Sequence, residues 1–119
     1  MKVLMTVSVS PWSSALSTTA LRLAQAIVAE GASMDAVFFH GDGVYHALSG
    51  EASDAGLSSP QDAWLQFHRD HGVELLLCPA AAARRLPISR LESDVDSFRQ
   101  AGLAYLLEAM TQSDRVVHF

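Results

Sequence analysis

Apolar positions along the chain follow two spacings. Val3 to Val9 is rich in Val, Leu and Met; beyond a Ser/Pro turn, Leu16, Ala20, Leu23 and Ile27 recur at helical spacing. That predicts a strand, a turn and a helix. Gly31 follows Glu30, where a left-handed C-terminal cap is expected. The next run, Ala36-Val37-Phe38-Phe39, is apolar without alternation. A strand apolar on both faces belongs in a parallel sheet covered on both sides.

The second half repeats the pattern. Ser59-Pro60 reads as a helix start, with Ser as N-cap and Pro at the first helical position, and Ala63, Trp64 and Phe67 carry the helix to a stop at Gly72. Val73 to Cys78 is the next strand. The alanines from Ala80 to Ala83, with Arg84 and Arg85, favour a helix that Pro87 ends. Leu103, Leu106, Leu107 and Met110 mark a last helix, and Asp114 to Phe119 a terminal strand; a less marked strand is expected between Leu86 and Phe98. The alternation predicts an α/β fold: a three-layer α/β/α sandwich around a mainly parallel four- to five-stranded sheet, in a single domain over residues 1–119. The stretch Ser49 to Pro60 is too short and central to separate two domains and reads as a surface loop.

Composition narrows the function classes. Thirteen acidic against eight basic residues leave a net charge of −5, which argues against direct nucleic-acid binding. Half of the residues are hydrophobic, high for so small a body, which suggests apolar surface covered by other subunits. The first residues carry one early Lys and a short apolar run, but no long apolar region or small-residue cleavage site before Pro11-Trp12; a cytoplasmic protein is expected, without a membrane span. Cys78 is the sole cysteine, so an internal disulfide and a Cys-x-x-Cys pair are excluded.

In a parallel α/β fold the functional loops gather at the carboxyl ends of the strands, here Ser10 to Ser14, His40 to Ala47, and Cys78 to Ala80. Cys78 precedes Pro79 and falls at or near the N-cap of a helix. Free N–H groups and the helix dipole would favour a thiolate or persulfide there. A lone cysteine ending an apolar strand is also at home as a small buried hydrophobe, and residue chemistry alone favours that inert reading. Arg84 and Arg85 either add positive field near the thiol or, as favoured here, complement the negative end of their own helix. The loop His40-Gly41-Asp42-Gly43-Val44-Tyr45-His46 has two glycines for positive φ, but no nucleotide fingerprint. Val44 and Tyr45 are expected to cover the sheet edge or line a subunit contact, with His40 and His46 as weaker neighbours of the thiol. His68 and His71 suggest no third ligand, so neither a metal nor another cofactor is expected. Ser8, Ser10, Ser13 and Ser14 lack the glycines of a nucleophile elbow and read as capping and turn residues.

In order, these pieces resemble the DsrE/TusD family of small sulfurtransferase subunits, most closely its TusD branch. The resemblance rests on Ala24-Gln25-Ala26 with Gly31, Val37-Phe38-Phe39 leading to Gly43-Val44-Tyr45, and Trp64 before His71-Gly72-Val73. It continues through Cys78 with Ala80-Ala81-Ala82 and Arg84-Arg85 to Gly102-Leu103, Glu108-Ala109 and Asp114-Arg115-Val116-Val117 before Phe119. Two departures stand out: Val9-Ser10-Pro11-Trp12-Ser13 lacks the glycines the family tends to show, and the segment between Arg85 and Gly102 is shorter.

The resemblance implies a DsrE-like sandwich in which Cys78 carries sulfane sulfur as a persulfide, and so reverses the inert reading. It implies TusB-like and TusC-like sibling subunits in a dimer of heterotrimers, a TusA-like donor, and a TusE-like or DsrC-like acceptor, in the relay toward 2-thiouridine at the tRNA wobble position. The alternatives are a DsrE-type subunit of a sulfur-oxidation relay and a non-catalytic structural subunit.

Overall fold

The computed structural model describes residues 1–12, 15–48, 59–87 and 97–119. Their strands are β1 (Val3–Val7), β2 (Ala36–Phe39), β3 (Glu74–Leu77), β4 (Phe98–Gln100) and β5 (Arg115–His118). The α-helices are α1 (Leu16–Ala29), α2 (Pro60–His71), α3 (Pro79–Arg85) and α4 (Leu103–Gln112). All strand pairings are parallel, in the order β4-β3-β2-β1-β5.

Three steps run one way along the sheet, from β1 to β4, and the last returns to the far side of β1. Right-handed crossovers then place α1, α2 and α3 on one face and α4 on the other. Side-chain packing agrees. Val3, Met5, Val7, Val37, Phe39, Leu75 and Leu77 share a core with Ala20, Ala24, Trp64, Phe67 and Ala82. The alternate positions Ala36, Phe38 and Leu76 form a smaller cluster with Leu106 of α4. The fold is the expected α/β/α sandwich.

Local chemistry explains most boundaries. Ser59 Oγ accepts the Asp62 N–H at 3.1 Å, Pro60 opens α2, and Gly72 ends it in the left-handed region at φ +69°. The start of α1 differs from expectation: Ala15 is its N-cap and supplies no side-chain bond. Ser8 Oγ donates instead to the Phe119 main-chain oxygen (3.0 Å), tying β1 to the end of β5, while Ser13 and Ser14 lie outside the described residues. The fifth strand is Phe98–Gln100, at the far end of the expected window, of which residues 88–96 lie outside the described set. The surface loop read at Ser49 to Pro60 also lies outside it, except for Ser59 and Pro60.

The segment Gly41–Ala47 is a 3₁₀ helix rather than an open loop. Gly41 has the expected positive φ, +53°, but Gly43 does not. Gly43 is needed for close approach, since a Cβ there would stand 2.0 Å from the Val7 carbonyl oxygen. Among the described residues, no helix is long and apolar enough to cross a membrane.

Candidate functional site

At the carboxyl rim, backbone pairing continues one residue past the strands. The N–H of His40 donates to Val7 O (3.0 Å), that of Cys78 to Phe39 O (2.9 Å) and that of Ala101 to Leu77 O (3.0 Å). The registers Val7↔Phe39, Phe39↔Leu77 and Leu77↔Gln100 therefore extend to a row of Ser8, His40, Cys78 and Ala101. By alternation this row lies on the α4 face, with Thr6, Phe38 and Leu76.

Cys78 is the N-cap of α3 and its carbonyl accepts the Ala82 N–H at 3.0 Å. Strand β3 ends at Leu77, so the thiol stands just outside the ladder. Pro79 at the first helical position pre-sets the turn. Cys78 is half-buried, packing against both the smaller cluster of Ala36, Phe38 and Leu76 and the larger core, while keeping part of its surface open. Its side chain makes no capping hydrogen bond to the helix. That leaves the thiol uncommitted at the rim.

The two histidines of the second loop part company. His46 is 1% exposed and faces the larger core, its ring 5.4 Å from that of Phe39 and 6.2 Å from that of Trp64. It is not a neighbour of the thiol. Nε2 lies 3.1 Å from the Val9 carbonyl, so that nitrogen carries the proton and donates, while Nδ1 has no partner among the described residues. Burial pushes this imidazole down to about 4, against a smaller upward pull from the Val9 carbonyl. His46 is a neutral core residue.

His40 stays at the rim beside Cys78 in the row. Its ring is stacked at 5.4 Å and 25° on His118, the last residue of β5, reaching across β1. The His118 ring is held from below, where Thr6 Oγ1 and Nδ1 lie 2.6 Å apart. Burial, and secondarily the His118 ring, holds His40 below its ordinary value of 6.5. His118 is not evident from its local sequence. The available signal is topological: a strand added in parallel beside β1, with Thr6 opposite His118, must end at the same rim.

The other candidates have structural duties. Arg85 Nε donates to Asp42 Oδ1 at 2.8 Å, tying the last turn of α3 to the 3₁₀ segment, and Arg84 is exposed on that same last turn. Both arginines stand in the last turn of α3, and the contact of Arg85 is to Asp42. Val44 is fully buried in the larger core rather than at a sheet edge, and Tyr45 packs on the exposed ring of Trp12 at 5.6 Å. His68 Nδ1 lies 2.8 Å from the Val73 carbonyl, and His71 packs on Phe67 at 5.1 Å. Among the described residues, no group of three or more metal-ligating side chains occurs.

Comparison with known proteins gives three likenesses. The profile of the DsrE/DsrF-like family matches residues 1–119. The sulfurtransferase TusD of Cronobacter sakazakii is 37% identical over 114 residues, covering 86% of this chain and 87% of that protein. The crystal structure of the ychN protein from E. coli superimposes with a TM-score of 0.81 at 23% identity, covering 100% of this chain and 99% of the other. This last likeness is one of fold.

Proposed function

The chain belongs to the DsrE/DsrF-like family, and from that premise we propose that it is a sulfurtransferase subunit of a sulfur relay in which Cys78 carries the sulfur. The observation that carries this reading is the placement of Cys78: a half-buried, uncommitted thiol at the carboxyl rim of a parallel sheet, in a chain 37% identical to a sulfurtransferase TusD.

The step is thiol exchange on sulfane sulfur. The Cys78 thiolate attacks the terminal sulfur of a donor persulfide; a new S–S bond forms at Cys78 as the donor's S–S bond breaks, and the donor cysteine leaves as a thiolate. An acceptor thiolate repeats the exchange on Cys78–S–SH. One local cysteine suffices because donor and acceptor bring their own, and the rate depends on nucleophile ionisation, leaving-group pKa and access.

Sibling subunits of TusB-like and TusC-like kind, a TusA-like donor and a TusE-like acceptor complete the relay, which works in the cytoplasm toward tRNA wobble thiolation. Helix α4 supports the sibling subunits, since Leu103 and Leu107 on it are 65% and 62% exposed and none of its residues is fully buried. An apolar helix face of this kind calls for cover by protein. The net charge of −5 assigns RNA contact to a later protein of the relay.

The test is intact-mass spectrometry after incubation with a persulfide donor. Wild type gains one sulfur that peptide mapping places on Cys78 and that an acceptor thiol removes; Cys78→Ser gains none while its melting transition is retained. Equal loading of the serine variant refutes the mechanism.

A further inference from the structure

The stacked pair His40 and His118 has no part in the exchange described so far, although it stands at the same rim. We propose that His40 is the proton carrier for sulfur exchange at Cys78, held in reserve by its stack on His118; this rests on Cys78 being the sulfur carrier.

Placement is the first support. His40 and Cys78 occupy one row of adjacent parallel strands, on one face, each a single residue past its strand. Neighbouring strands lie about 4.8 Å apart, so residues paired in this way are within reach of each other's side chains. Freedom is the second. His118 is fixed through Nδ1 by Thr6, whereas neither ring nitrogen of His40 is engaged among the described residues. In the structure the His40 ring lies over β1 on His118; proton transfer would take place from a second staggered rotamer, turned toward β3 and Cys78. The stack is a resting place rather than a bond.

In the step, neutral His40 takes the Cys78 proton as the sulfur attacks. The S–S bond to Cys78 forms as the donor S–S bond breaks, the electron pair leaves on the donor cysteine's sulfur, and the imidazolium returns the proton to that thiolate. One sulfane sulfur and one proton exchange places, with no net oxidation. Among the described residues, the titratable groups beside His40 are His118 from β5 and Cys78 next to β3. Among the described residues, β1 adds the hydroxyls of Thr6 and Ser8, the smaller cluster adds the apolar Phe38 with its ring 6.2 Å from that of His40, and Asp42 is taken by Arg85. Burial and the His118 ring favour the neutral form, the form that accepts a proton.

Sulfur loading of the full chain from glutathione persulfide, quenched by alkylation and read by intact mass between about pH 5 and about pH 9, tests this. Wild-type loading is expected to rise through a limb below the ordinary imidazole range. His40→Gln should lose that limb and about tenfold of the rate near neutral pH, with partial rescue by added imidazole. His118→Gln should keep the rate and move the limb upward. A His40→Gln variant with rate and limb unchanged overturns the proposal. So does a wild-type profile without an imidazole limb, which needs no variant to fold. Cys78→Ser separates the two claims: loading by that variant overturns the carrier reading itself, whereas its failure to load beside an unchanged His40→Gln overturns only the role of His40.

Discussion

The two faces of the sheet are built differently. On the face covered by α1, α2 and α3, Phe39, Trp64, Phe67 and Phe98 form an edge-packed aromatic core with His46 sealed among them. On the face covered by α4, the buried Ala36, Phe38 and Leu76 are joined by the half-buried Ala101 and Leu106, and by Cys78, which also touches the larger core. Sealing decides what a titratable group can do. His46 and His40 are both lowered by burial, yet one is locked neutral in the aromatic core and the other can still meet solvent and a neighbouring thiol. The larger core lies on the first face, while the thiol of Cys78 stays partly open at the rim.

The sharpest way to break this contrast is to truncate one side chain on each face. Trp64→Ala removes the largest fully buried side chain and should cost about 3–5 kcal/mol in chemical denaturation, whereas Leu106→Ala, half-buried on the sheet-facing side of α4, should cost about 1 kcal/mol. Comparable losses would mean that the faces share the load.

A smaller effect tests how the 3₁₀ segment is fastened to the aromatic side. Gly43→Ala forces a methyl group against the Val7 carbonyl and should cost about 2–3 kcal/mol in urea unfolding, although the φ of Gly43 is ordinary. Gly31→Ala, with nothing within 4 Å of its Cβ but a φ of +88°, provides the control for strain without crowding.

The smallest effect sharpens the comparison of the two histidines. His46 binds its proton at about 4 when folded and at 6.5 when unfolded. Between these values the unfolded chain holds more protons, so stability is full above about pH 6.5 and falls as pH drops toward 4. The loss from this residue should reach about 2 kcal/mol by about pH 5 in denaturation midpoints, and His46→Gln should flatten the slope. His40, half-exposed, should contribute little to it.

Much of the fold is legible in the chain because β1, β2 and β3 are buried on both faces, which writes a continuous apolar run into each. Ser59, Pro60 and Gly72 delimit α2 by their own backbone chemistry. β4 is nearly silent, since an edge strand with Arg99 and Gln100 exposed needs no apolar run and is specified by pairing with β3. The 3₁₀ segment is silent too, because its shape comes from Gly43 pressing on Val7 rather than from a periodic pattern.

The site divides in the same way. The place of Cys78 can be read from residue order, since it stands between an apolar strand and a Pro-initiated helix at the carboxyl rim of the sheet, whereas its reading as a sulfur carrier comes from the family resemblance. Its surroundings cannot be read from residue order. His40 and His46 are six positions apart in one glycine-containing loop, and only the turn of the 3₁₀ helix sends one to the rim and the other into the core. His118 lies 78 residues beyond His40 in the chain, a separation that no periodicity records; it reaches His40 because β5 closes the sheet beside β1 with Thr6 opposite His118. Local burial and capping act between near neighbours and so are written in the chain, whereas contacts between distant strands depend on the order in which the sheet is assembled.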